Sequence, residues 1–421
     1  MEATDISSAP PHAAVFPAAI GYGASSRGGE GGAIIAVTNL RDSGPGSYRA
    51  CVEASGPRVC VFRVDGVIRF TGRPPIIRQP YLTIAGQTAP GVGITLTHSG
   101  GNDGRTPLVI KNTHDVIVRH IRVRLDRDGG DRRAEDAITI ENSRNVIIDH
   151  VSASGARDEI INGHGNNDNI TISHSIFSYG VPRHDKCALL ASDPVDPVNL
   201  SFVGNVCAHN GDRNPDANFP PGSCVEVINN QFYNAQSEFA EVWEGEGGTP
   251  ISIVGNSFIA GPDTRPSSVG IENDHRGSTG RAKIFAAENR FVGEFTRISA
   301  NAIEVLTDAP PCKLTLAPIA ATTASEIVLK GAGAYPRDAI DRQVVDEIRT
   351  RSGRIGYLPR NFAQSSGAKA YPDRDQDGMD DDWERQSGAD PNRADSWEIP
   401  DGDGISRFEA FLAFREKELQ R

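Results

Sequence analysis

Three groups of residues in this chain have the type and spacing to do chemistry. The stretch NGDRNPD, residues 210 to 216, sets Arg213 between Asp212 and Asp216 just after the strand-like run LSFVGNVCA. Asn, Gly, Asp and Pro together usually make a solvated turn, so the arginine gains meaning only from what surrounds it. Paired acids recur upstream at Glu135-Asp136, Asp149-His150 and Asp158-Glu159. If they fall on neighbouring structural units, their carboxylates can line an oxygen pocket for a hard cation. Lys186 and Arg213 follow, placing positive side chains along the same wall, where an anionic ligand would be held.

The third group lies in the tail. DRDQDGMDDDWE, residues 373 to 384, matches a twelve-residue calcium loop: Asp373, Asp375 and Asp377 at positions 1, 3 and 5, Gly378 at 6, Asp381 at 9 and Glu384 at 12. An acidic loop this tight needs a cation to offset its repulsion. A second stretch, IPDGDGISRFEAF, keeps Asp401, Asp403 and Gly404 but has Ile399 and Ala410 at the first and twelfth places, at most a weak site.

The elements that must position these residues form a repeat. The runs VIVRHIRV, VIIDHVSA, ITISHSIF, LSFVGNVC, VEVINNQF, ISIVGNSF and IFAAENRF each carry an apolar stretch, then His or Asn, then another apolar residue. Aligned on His120, His150, His174, Asn205, Asn230, Asn256 and Asn289, they step by 24 to 33 residues. That period, with no helical pattern between the runs, predicts a β-solenoid in which side chains stack from coil to coil and asparagines hydrogen-bond along a turn. The competing architecture is a β-sandwich with irregular loops. A solenoid needs covers at its ends. SYRACVEAS, residues 47 to 55, reads as a short amino-terminal capping helix, and DAIDRQVVDEIRTRSG, residues 338 to 353, as an amphipathic helix that caps or flanks the other end.

Composition sets the outer bounds. The net charge of -12 is concentrated: residues 373 to 409 hold thirteen acids against four arginines, which leaves -3 for the rest. The body is near neutral and can host a basic cleft. No apolar run approaches the ~18 residues needed to span a membrane. The start MEATDISSAPPHAA lacks the pattern of a secretory signal, so the protein is expected either to stay in the cell or to have lost a signal before this numbering. Cys51 and Cys60 bracket a plausible disulfide loop, while Cys187, Cys207 and Cys224 could equally be small buried residues.

Together, FPAAIGYGASSRGGEGG, VTNLRDSGPGSYRA, YLTIAGQTAPG, DAITI with NVIIDHVSAS, and AHNGDRNPD resemble the calcium-dependent pectate lyases, from about Phe16 to beyond Gly353. The resemblance implies an all-β, right-handed parallel β-helix that cleaves de-esterified pectin by β-elimination outside the cell. Expected boundaries are a disordered segment over 1–15, the catalytic β-helix over 16–335, a helix and linker over 336–372 and an EF-hand-like calcium tail over 373–421. It further implies that Asp136, Asp158 and Asn162 hold a cleft Ca2+, that Lys186 binds substrate and that Arg213 removes the sugar C5 proton. The expected partner is an acidic polysaccharide, with no nucleic acid, no membrane and a monomeric protein.

Four positions depart from the family pattern. Ala134 and Asn162 stand where relatives have aspartates, Asp158 where they have a glutamate, and Asn218 where a second arginine would bind substrate. Two rival readings follow from the residues: a glycoside hydrolase using Asp149 and Asp158 as its carboxylate pair, or a non-catalytic polysaccharide-binding solenoid.

Overall fold

The computed structural model describes residues 19–98, 105–125, 134–275, 280–356, 364–400 and 404–420. The proposed disordered segment 1–15 and the acids Asp401 and Asp403 lie outside them.

Short β-branched runs separated by polar turns wind into a parallel β-helix of about nine coils with three sheets of ten, nine and nine strands. Each coil contributes one strand to every sheet, so identical positions stack. One apolar column runs Leu82, Val116, Val146, Ile170, Leu200, Val225, Ile251 and Ile284 through the ten-stranded sheet. Aromatic rings stack in the same way, Phe232 on Phe258 at 5.1 Å and Phe258 on Phe291 at 4.9 Å. Each such side chain, fully buried, contributes roughly 1.5–3 kcal/mol.

The asparagine column forms the predicted ladder. Backbone N–H groups of Asn205, Asn230 and Asn256 each donate to the Oδ1 of the next asparagine along, at 2.8–2.9 Å. The histidines do not belong to this column. Ser173 pairs with Val203, which sets His174 level with Gly204 and Ser175 level with Asn205. His120, His150 and His174 take left-handed turn positions and stack on one another at 5.0 Å, one residue ahead of the ladder. Repeat length alone does not resolve a one-residue offset between two polar turn positions.

The two helix expectations are met, each with its own cap. Ser47 accepts from Ala50 N at the start of Tyr48–Glu53, and Tyr48, Cys51 and Val52 close the first coils. Buried Arg58 donates to the carbonyls of Cys51 and Val52 near the helix end, at 2.9 and 2.6 Å. The Ala339–Thr350 helix begins on Asp338 and flanks the coils; it does not close their end. Arg124 of the nine-stranded side sheet anchors it through Asp338 and Asp341 at 3.0 and 2.7 Å. An additional helix, Ala321–Gly331, packs beside it. All six cysteines are paired, Cys51–Cys60, Cys187–Cys207 and Cys224–Cys312.

These additions leave one sheet for function. The helices over 321–350 cover the side sheet. The ten-stranded back sheet receives an amino-terminal arm, where Gly23 N donates to Thr171 Oγ1 at 2.8 Å, and the tail, whose Met379, Phe408, Phe411 and Leu412 pack on Val59, Val61 and Ala85. The third sheet, with strands such as Ile138–Glu141, Glu159–His164 and Lys186–Ser192, carries no such cover among the described residues.

Candidate active site

Asp136, Asp158, Asn162, Lys186 and Arg213 gather where the chain turns into this open sheet. Parallel register does the positioning: Ile138 pairs with Ile161 and Thr139 with Asn162, Glu159 pairs with Lys186, Lys186 bridges Asp212, and Leu189 pairs with Asp216. Residues 23 to 27 apart in sequence thus stand on adjacent rungs, roughly 4.8 Å apart, and the site spans four of them.

Asp136 and Asn162 meet directly, Asn162 Nδ2 donating to Asp136 Oδ2 at 3.1 Å, with Thr139 Oγ1 adding a second bond at 2.6 Å. Burial pushes the Asp136 carboxyl up to about 7, and the charges of Glu159 and Asp158 add to it. Asp158 is raised to about 6, by burial first and then by Glu159. His184 Nε2 lies 2.9 Å from Asp158 Oδ1. Asn162 Oδ1 is buried with no hydrogen-bond partner. The all-oxygen donors Asp136, Asp158 and Asn162 therefore fit a hard cation such as calcium.

Lys186 Nζ is paired with Asp212, and Arg213 Nη1 donates to Glu159 while its Nε lies 3.4 Å from Asp216. The Arg213 guanidinium also sits over the Trp243 ring, 5.8 Å from its centre. Burial alone would lower its pKa, but Asp216, Glu159 and Glu241 outweigh that and hold the proton more tightly than usual. The backbone at Arg213 is left-handed, with φ of 52°.

Sequence reasoning passed over three members of this cluster, His184, Glu241 and Trp243, and named Glu159 only as the neighbour of Asp158, with no role of its own. Glu159, beside the chosen Asp158, is the more buried and is the one that pairs with Arg213; His184 and Arg213 hold it below the usual carboxylate range against the effect of burial. His184 lies in a turn and Glu241 and Trp243 share the strand Glu238–Trp243, and only the register brings them in. Asp149 is not part of the site. It ends a back-sheet strand, bound by Arg119, Ser173, His150 and His174. Among the departures, Asn218 Oδ1 accepts from Glu246 N at 3.2 Å, and Ala134 is exposed at the turn before Asp136. On the same sheet, toward its amino-terminal coils, a concavity of about 600 Å³ is lined by Arg73, Arg105 and Lys111 with Glu141.

In the tail, Asp373, Asp375 and Asp377 bring carboxylate oxygens within 4.8 Å of one another, and Asp377 and Glu384 form a second such group with Asp395. Asp381 is placed apart from both. Its oxygens accept from Arg374 N at 2.8 Å and lie 3.5 Å from Arg385.

An open parallel sheet bearing clustered carboxylates, a lysine and an arginine is the architecture of a β-helical polysaccharide lyase. The family model described as pectate lyase matches residues 12–336, and the chain belongs to the pectate lyase family. A protein of Aspergillus flavus named "Probable pectate lyase C" is 33% identical over 408 residues, 91% of this chain and 90% of that protein. Its namesake in Emericella nidulans is 33% identical over 422 residues, 94% and 91%. Among solved structures, jun a 1, the major allergen from cedar pollen, superposes with a TM-score of 0.58 at 21% identity, over 75% of this chain and 92% of that one. A pectate lyase bound to a hexasaccharide gives 0.53 at 15% identity, over 77% and 98%. The structural likenesses establish the parallel β-helix.

Proposed function

We propose that this chain cleaves de-esterified pectin by β-elimination on the open sheet, leaving 4,5-unsaturated oligogalacturonides. The observation that carries the reading is the placement of Arg213 and Lys186 on rungs next to Asp136, Asp158 and Asn162, on the face left uncovered among the described residues.

The chemistry starts from the C5 hydrogen of a uronate, which becomes acidic only when the neighbouring carboxylate is neutralised as charge develops. Asp136, Asp158 and Asn162 would hold a calcium ion, which supplies that neutralisation when bound. Lys186 adds a second positive charge, released toward substrate from its pairing with Asp212. Arg213 takes the C5 proton, the C4–O4 bond breaks, C4 and C5 become doubly bonded and the departing oxygen is protonated, with no water consumed. Arginine is an uncommon base. The carboxylates around Arg213 hold its proton, so the rate should climb toward alkaline pH.

The basic concavity at Arg73, Arg105 and Lys111 extends the same face and suits an extended anionic polymer. Three disulfides, with no free cysteine among the described residues, fit an oxidising compartment and support secretion. The EF-hand-like loop of the tail is read as a second calcium site. The hydrolase alternative loses its carboxylate pair, because Asp149 and Asp158 sit on different edges of the coil. Mass analysis of products from polygalacturonate tests the reading. Fragments lacking the elements of water support it, and saturated fragments would replace it with a hydrolase.

A further inference from the structure

Five carboxylate oxygens in the tail are buried without a hydrogen-bond partner: both of Asp375, both of Glu384 and Oδ1 of Asp395. Glu384 is 0% exposed and Asp395 3%. Arg393 lies 2.9 Å from the other oxygen of Asp395, but both oxygens of Asp375 and of Glu384 lack a hydrogen-bond partner, and burying an unpaired carboxylate is expensive. Asp395 is not part of the twelve-residue loop. It lies beyond the Asp381–Ser387 helix and returns to the loop through its own N–H, which donates to Asp377 Oδ2 at 3.1 Å. Asp381, at the ninth loop position, turns instead to Arg374 and Arg385.

We propose that the tail is a calcium clasp: one ion taken by Asp373, Asp375, Asp377, Glu384 and Asp395 ties the loop to the 395–412 segment and so fastens the tail to the back sheet. The packing explains how one ion can do this. Asp395 leads into Ser396, whose carbonyl accepts from Phe408 N at 2.8 Å at the start of the Arg407–Leu419 helix. Phe408, Phe411 and Leu412 of that helix rest on Val59, Val61 and Ala85. On the other side, Gly378 has φ of 89°, and a Cβ there would stand 2.8 Å from Ile34 and 3.0 Å from Phe408, so the loop itself presses on the coil. Arg63 of the coil lies over the Tyr371 ring at 4.3 Å and 3.5 Å from Asp373 Oδ2, and Trp397 Nε1 donates to Gly32 O at 2.8 Å. The ligand set and the docking contacts therefore share one framework. With the ion absent, repulsion among the five carboxylates acts on the residues that hold the tail down.

The test uses the full chain and no polysaccharide, so that its outcome is separate from that of the lyase reading. Calcium titrations by calorimetry are compared for the chelator-treated wild type, Asp395→Asn and Asp381→Asn, together with the rate at which a protease removes the tail. The clasp predicts that calcium slows tail cleavage in the wild type, that Asp395→Asn weakens one binding event by at least ~10-fold and abolishes the protection, and that Asp381→Asn changes neither by more than about twofold. Equal binding in Asp395→Asn and the wild type, or wild-type tail cleavage indifferent to calcium, would overturn it. Loss of binding in Asp381→Asn with retention in Asp395→Asn would assign the ion to the ordinary loop positions and remove the clasp.

Discussion

Arg213 reaches back two coils to Glu159, its Nη1 donating to the Glu159 carboxylate past the rung that carries Lys186. Against the effect of burial, this pairing acts with the charge of Asp216 to hold the proton on the proposed base. Removing one negative neighbour with Glu159→Gln lowers the pKa of Arg213, so the rising limb of the pH–rate profile should move toward lower pH. A limb left in place would mean that another group governs it.

Replacing the guanidinium while keeping the charge should cost far more. Arg213→Lys cannot reach Glu159, Asp216 and the Trp243 face together with the same fork. Turnover is expected to fall by about 10²–10⁴-fold, with the melting temperature little changed. Steady-state kinetics beside a thermal melt separates this from simple unfolding.

Asp136 gives a pH signature without substrate. Its carboxyl is raised from 3.8 to about 7 in the folded protein. Between about pH 4 and 7 the folded state therefore binds a proton that the unfolded chain has released, and stability falls as pH rises through that window. Asp158, raised to about 6, acts in the same direction. In chelator, the melting temperature of Asp136→Asn should decline less steeply than that of the wild type across this range. A steeper decline in the variant would contradict the assignment.

The Cys187–Cys207 bridge ties the strand that starts at Lys186 to a strand of the side sheet, the two cysteines standing 20 positions apart in sequence. Replacing both with serine should destabilise the protein by about 3 kcal/mol. Denaturant unfolding of the double variant measures this, and an unchanged midpoint would show that stacking alone holds the strand.

Much of this was legible in the chain itself. The recurrence of strand, Asn and strand from Asn205 to Asn289 specifies the coils, because each backbone N–H on that column needs the next asparagine as its acceptor. Asp136, Lys186 and Arg213 could be assigned roles because the motifs around them resemble those of the pectate lyases. His184 and Trp243 could not, and Glu159 reads only as half of an acidic pair, since their roles come from register across coils and not from local spacing. The same holds for Asp395, which reaches the calcium loop only after a helix has turned the chain back. The histidine column shows the converse limit: a right period with a one-residue offset looks like a match until pairing is seen.

The most direct measurement is the ultraviolet absorbance of unsaturated uronide when the protein meets polygalacturonate at alkaline pH, with calcium or with a chelator. The account predicts a rise with calcium, none with chelator and none in Arg213→Ala. Absence of a rise from the wild type with calcium, or an undiminished rise from Arg213→Ala, would contradict it.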